Sequence, residues 1–148
     1  MEGYKKTALL SVAFVWIEFV IAAAVVFLDP GNNDFPYTKI VLTWPGVLEE
    51  IHRLWAALII LVFIVNLIVI HRSNSTPRHL MPLAIISFFL LLLQALYGAI
   101  TIINYDYPPY VVLHEGNAGV LLMATALMAA VALYSPVGQM KEATPNKA

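Results

Sequence analysis

Glu49-Glu50-Ile51-His52-Arg53-Leu54-Trp55-Ala56-Ala57 leads into an apolar run that ends at Ile70. A second run of the same kind is headed by Pro108-Pro109-Tyr110-Val111-Val112-Leu113-His114. A bilayer crossing takes about 20 apolar residues, and each run is long enough. Two more stretches qualify, so the spans are read at 7–28, 49–70, 80–103 and 111–134. The chain has 148 residues, 61% hydrophobic and 11% charged. Its mean hydropathy of +0.81 excludes an ordinary soluble domain. In lipid only helices and closed barrels satisfy the backbone, and the dyad alternation of a barrel is missing. The expected fold is all-α, a single polytopic four-helix membrane bundle.

The remaining segments are an outer loop at 29–48, an inner loop at 71–79 and a polar tail at 135–148. Prolines 30, 45, 82, 108, 109 and 136 sit at span ends, where helices tolerate them. The outer loop carries Phe35, Tyr37, Ile40, Val41, Leu42 and Trp44. It reads either as a short amphipathic segment on the bundle's end or as an aromatic belt. The first span lacks a clean small-x-small cleavage site and is expected to stay.

Lys5, Lys6, Arg72, Arg78, Lys141 and Lys147 fall on one side of this topology, leaving Lys39 and Arg53. The positive-inside rule then puts both termini in the cytoplasm of a cell whose plasma membrane holds the chain. His52 and His114 are on the opposite, outer side. A net charge of −1 gives no sign of nucleic acid as a partner. Without cysteine there is no disulfide, iron–sulfur or zinc-thiolate site.

Ionisable groups inside a bilayer are costly and are functional candidates by default. His52 and His114 head spans of the same direction, so they enter at similar depth. Each is followed four and five residues later by small side chains, Ala56 and Ala57 or Ala118 and Gly119. That weak repeat suggests two helical hairpins about a pseudo-two-fold axis. Two facing imidazoles can clamp a heme iron, and bundle cores commonly house cofactors. Ala56, Ala118 and Gly98 would leave room for a flat macrocycle. The alternative is a pair of interfacial histidines bonded to water or backbone.

Other polar residues have two readings each. Glu49 shares a face with His52 and could act at the edge of a bound ligand, or be a first-turn carboxylate favoured by the helix dipole. Glu50 points away from that face. Arg53 could grip a heme propionate, or pair with Glu49 or Glu50. Glu18 falls near the middle of the hydrocarbon and serves either a proton path or a polar helix contact. Thr101, Asn117 and Tyr97 are close enough to the outer end to line the pocket. His71 and His79 read as interfacial, and Met123 and Met128 as packing residues.

At these residues the chain resembles the heme A synthase family. Glu49-Glu50-Ile51-His52-Arg53 is similar to the family's E-x-x-H-R. Gln94-Ala95-Leu96-Tyr97-Gly98-Ala99-Ile100-Thr101 resembles Q-G-x-x-G-x-x-T. Pro108 to His114 resembles the approach to the fourth-span histidine. The resemblance implies oxidation of the ring methyl of heme O to the formyl of heme A, for terminal oxidases. It implies that His52 and His114 are iron ligands, that Glu49 is catalytically important, and that heme b or heme O is bound. A quinol or other electron donor is an expected partner besides membrane lipids. Most members have eight spans in two similar halves. This chain looks like one half, so a homodimer is expected to rebuild the pair of sites. The outer-loop cysteines of some members are absent.

Two rivals follow from the same residues. One is a non-catalytic bis-histidine b-type cytochrome or heme carrier, which needs no Glu49. The other is a small proton-coupled four-span transporter working through Glu18.

Overall fold

A computed structural model describes residues 1–28, 43–104 and 106–135. The four expected helices are present: α1 (Gly3–Leu28), α2 (Trp44–Arg72), α3 (Leu80–Ile103) and α4 (Pro108–Tyr134). No strand occurs among the described residues. All four helices are long and apolar enough to cross a membrane. The amphipathic segment expected between α1 and α2 lies largely outside the described residues, as does most of the tail.

Helix starts fall earlier than the hydropathy pattern placed them. α2 begins five residues before Glu49, because Thr43 caps it: its hydroxyl accepts from the Gly46 N–H at 3.4 Å. Pro45 is therefore inside the first turn, and Pro108 and Pro109 open α4 rather than precede it. The first turn needs no N–H from proline, so the residues that looked like stops are starts. The short α3–α4 turn is closed by Asp106, whose φ of 55° lets its N–H reach the Thr101 carbonyl at 3.0 Å.

Each helix buries one seam with alternating steps of four and three residues. On α1 it runs Tyr4, Ala8, Ser11, Val15; on α3, Leu80, Ala84, Ser87, Leu91. On α2 it includes Ile59, Phe63, Asn66 and Ile70; on α4, Leu121, Thr125, Met128 and Ala132. That is the seven-residue repeat of a left-handed bundle. Large apolar side chains such as Trp16, Phe27, Phe89 and Leu127 point outward, where lipid replaces water. Met123 is 66% exposed and joins them. Met128 is fully buried.

The seams repeat in register. Every buried α1 position has its buried α3 counterpart 76 residues on, and the four α2 positions have theirs 62 residues on in α4. Interhelical hydrogen bonds repeat as well. Trp55 Nε1 donates to the Phe14 carbonyl at 3.0 Å, and Asn117 Nδ2 donates to the Leu90 carbonyl at 3.0 Å. Phe14 and Leu90 are 76 apart; Trp55 and Asn117 are 62 apart. The bundle is two α-hairpins related by a pseudo-two-fold axis.

Around that axis α1 and α3 each adjoin both α2 and α4. α2 and α4 stand diagonally, with no Cα of one within 8 Å of the other. Toward the inner end they meet through one side-chain contact, Asn66 Nδ2 reaching Met128 Sδ at 3.4 Å, while Thr7 of α1 donates to Asn66 Oδ1 at 2.7 Å. At that end the N-terminus is tied down, with Lys5 paired to Glu2 at 3.1 Å and Ser75 donating to Glu2 at 3.3 Å.

Trp55→Phe keeps the stack on Phe14, whose ring centroid is 4.8 Å away, and removes only the bond to the carbonyl. Unfolding in detergent should show a loss of about 0.6 kcal/mol, at most about 1.7 kcal/mol.

Candidate functional site

The buried core stops at the layer of Val15, Ile59, Leu91 and Leu121. One seam step outward come Glu18, Ala56, Gln94 and Ala118; the next brings Ala22, His52, Gly98 and His114. None of these eight seam positions carries a bulky aliphatic side chain. His52 is eight residues into α2 and His114 six into α4, so they lie about 12 and 9 Å below their helix ends. Both are deeper than their place at the head of an apolar run suggested.

Each histidine is held by the other helix of its own hairpin. His52 Nδ1 lies 3.0 Å from Glu18 Oε1, with side-chain exposures of 23% and 15%. The contact is close without being an aligned hydrogen bond, and both Glu18 Oε2 and His52 Nδ1 are buried with no hydrogen-bond partner. The His114 ring rests on Gly98: a Cβ there would sit 3.0 Å from Cε1. The space left by Gly98 is thus filled by the imidazole itself, not by room for a macrocycle as the sequence suggested. Gln94 Nε2 is 3.2 Å from each nitrogen of His114. Asn117 Nδ2 fixes that amide through Gln94 Oε1 at 2.7 Å.

Glu49 is buried, three residues before His52 on the α2 seam. Arg53 pairs with Glu49 and also with Glu50, the latter at 3.1 Å. Glu50 therefore does not point away: one guanidinium gathers both carboxylates by its fork of donors. Thr101 is buried at the next α3 seam position beyond Gly98, its hydroxyl donating to the Tyr97 carbonyl at 2.8 Å. Ala56 and Ala118 are half-buried on their seams. His71 and His79 are exposed at the other end of the bundle. No cluster of three or more metal-ligating side chains occurs among the described residues.

A heme between α2 and α4 needs two imidazoles at one level, room between their helices, and partners for the outward ring nitrogens. The diagonal placement of α2 and α4 gives the separation, the alanines give the room, and Glu18 and Gln94 stand at the rings. The residues fit the group. Sequence reading had singled out Glu18 without finding its role. The available signal was the repeat on the odd-numbered helices, since Glu18 and Gln94 are 76 residues apart like Ala8 and Ala84.

The profile of the COX15-CtaA family, cytochrome oxidase assembly proteins, matches residues 7–147. The chain belongs to that family. No curated protein and no solved structure matches it. Membership agrees with the motifs around His52, Gln94 and His114, and with a multi-pass membrane protein whose substrate is heme-related.

Gly98→Ala forces the His114 ring to give way by a few tenths of an ångström, and Gly98→Val forces more. Both should fold, since the ring is movable. Heme titration of the purified variants should show weaker uptake than wild type, in the order glycine, alanine, valine.

Proposed function

We propose that this protein oxidises the ring methyl of heme O to a formyl group, supplying heme A to terminal oxidases. The observation that carries the reading is the layer holding His52 and His114. It sets two imidazoles at one level on diagonal helices, stripped of bulky neighbours, in a chain of the cytochrome oxidase assembly family.

Heme, when bound, supplies the iron centre and the methyl to be oxidised. Methyl to formyl is a net four-electron oxidation that adds one oxygen atom, so it needs an oxidant. With dioxygen in that role, each of two successive hydroxylations consumes one O2 and two electrons. A quinol or other donor in the membrane would supply the electrons, and the remaining oxygen leaves as water. His52 and His114 would hold the iron from α2 and α4, and Ala56, Ala118 and Thr101 would line the space for the macrocycle. Glu49 acts at the substrate edge as acid or base. Arg53, already ordered by Glu49 and Glu50, would hold a propionate. With both termini cytoplasmic, the site opens toward the extracytoplasmic side of the plasma membrane. One layer of this kind per chain makes a homodimer the arrangement that provides a second.

One observation favours a second reading. Glu49 is tied to Arg53, so its carboxylate is already engaged in an ion pair within α2. A bis-histidine cytochrome or heme carrier would use the same layer and leave Glu49 structural. The transporter alternative loses ground, because Glu18 is engaged with His52.

Co-expression with a source of heme O, followed by extraction of the bound pigment, separates the two. Conversion predicts heme A from wild type, and from Glu49→Gln a normal low-spin spectrum with at least a tenfold drop in heme A. Unmodified heme alone from wild type would establish the carrier reading instead. His52→Ala and His114→Ala should each abolish the low-spin signal, because one iron needs both rings.

A further inference from the structure

Glu18 is the least expected residue in this bundle. A carboxyl group at the centre of a membrane is retained only against a cost of several kcal/mol unless it is partnered. It stands ten residues before the end of α1, about 15 Å below it. Its Oε1 faces His52 Nδ1 at 3.0 Å, and its Oε2 is buried without a hydrogen-bond partner. Histidines that bind metals generally give their second ring N–H to a carboxylate, carbonyl or water, which fixes the ring and raises its basicity. With Nδ1 turned to Glu18, the nitrogen left for a metal is Nε2.

The pseudo-two-fold axis makes this more than one contact. The counterpart of Glu18 is Gln94, which also stands at a histidine. Its Nε2, however, lies 3.2 Å from both ring nitrogens of His114 and its Oε1 is taken by Asn117, whereas Glu18 turns an oxygen to His52 Nδ1. The two positions correspond in place and differ in chemistry. A carboxylate offers only acceptor oxygens, whereas an amide offers a donor and an acceptor. Electron donation to the two sides of one iron would then be unequal.

We propose that Glu18 is a positioning residue for His52, paired across the pseudo-two-fold with Gln94 at His114, and that its carboxylate holds the reduction potential of the bound heme low. The inference rests on ligation of the iron by His52 and His114. Glu18 touches neither the iron nor the substrate; it acts through the imidazole. A stronger acceptor at Nδ1 makes His52 a better donor to ferric iron, so the oxidised state is favoured.

The test is a spectroelectrochemical titration of heme-loaded wild type, Glu18→Gln and Gln94→Glu in detergent, with His52→Ala as a control. Glu18→Gln should keep the low-spin spectrum and shift the midpoint potential positive. Gln94→Glu should shift it negative, since it puts a carboxylate at the symmetry-related place. Glu18→Leu should also lose part of the low-spin signal, which Glu18→Gln retains. An unchanged potential in Glu18→Gln, with ligation intact, would overturn the role of Glu18 alone. Wild type that binds no heme in a His52-dependent way would overturn ligation and, with it, this inference. Should Glu18→Gln fail to fold, Gln94→Glu still decides, because a null or positive shift there contradicts the proposal.

Discussion

An ionisable side chain in hydrocarbon must find a partner, and in this bundle that requirement sorts the sequence. Polar groups within the helices concentrate on the four inward seams: Ser11 and Glu18 on α1, Glu49, His52 and Asn66 on α2, Ser87, Gln94 and Thr101 on α3, His114 and Thr125 on α4. Toward the inner end they are small or neutral and sit among aliphatic side chains. Toward the outer end they become ionisable, and alanine and glycine replace the aliphatics. The same seven-residue seam therefore gives a packed half and a chemically armed half.

The doubled hairpin explains why the armed half is organised about an axis. Duplicated seams bring His52 and His114 to one level without their helices touching, because α1 and α3 fill the adjoining corners. The tethers are duplicated too: Trp55 to the Phe14 carbonyl and Asn117 to the Leu90 carbonyl fix each histidine helix to its neighbour, three residues from the ring. Symmetry is kept in position and broken in chemistry. Glutamate stands where the second hairpin has glutamine, and Arg53, gathering Glu49 and Glu50, stands where α4 has Glu115. A symmetric scaffold with unequal sides suits a ligand whose two edges differ.

Hydropathy and the prolines were enough for the number of helices and for the inner turn. They misplaced the starts of α2 and α4, since proline reads as punctuation and Thr43, Pro45, Pro108 and Pro109 use it as a beginning. The two histidines were legible because imidazole is rare in apolar runs. Gly98 was legible only as small; that its space is taken by the His114 ring is a packing fact. Arg53 showed both of its readings in the sequence, and the ion pairs with Glu49 and Glu50 are the ones the fold makes. Glu18 was visible as an anomaly, but its partner lies 34 residues away on another helix. Only the 76-residue correspondence with Gln94 could have pointed there.

Near-infrared magnetic circular dichroism of the ferric, heme-loaded protein is the most direct test, because its charge-transfer band reports the axial ligands. The account predicts a bis-imidazole band at one heme per chain. A band for histidine opposite any other ligand, or two hemes bound per chain, would contradict it.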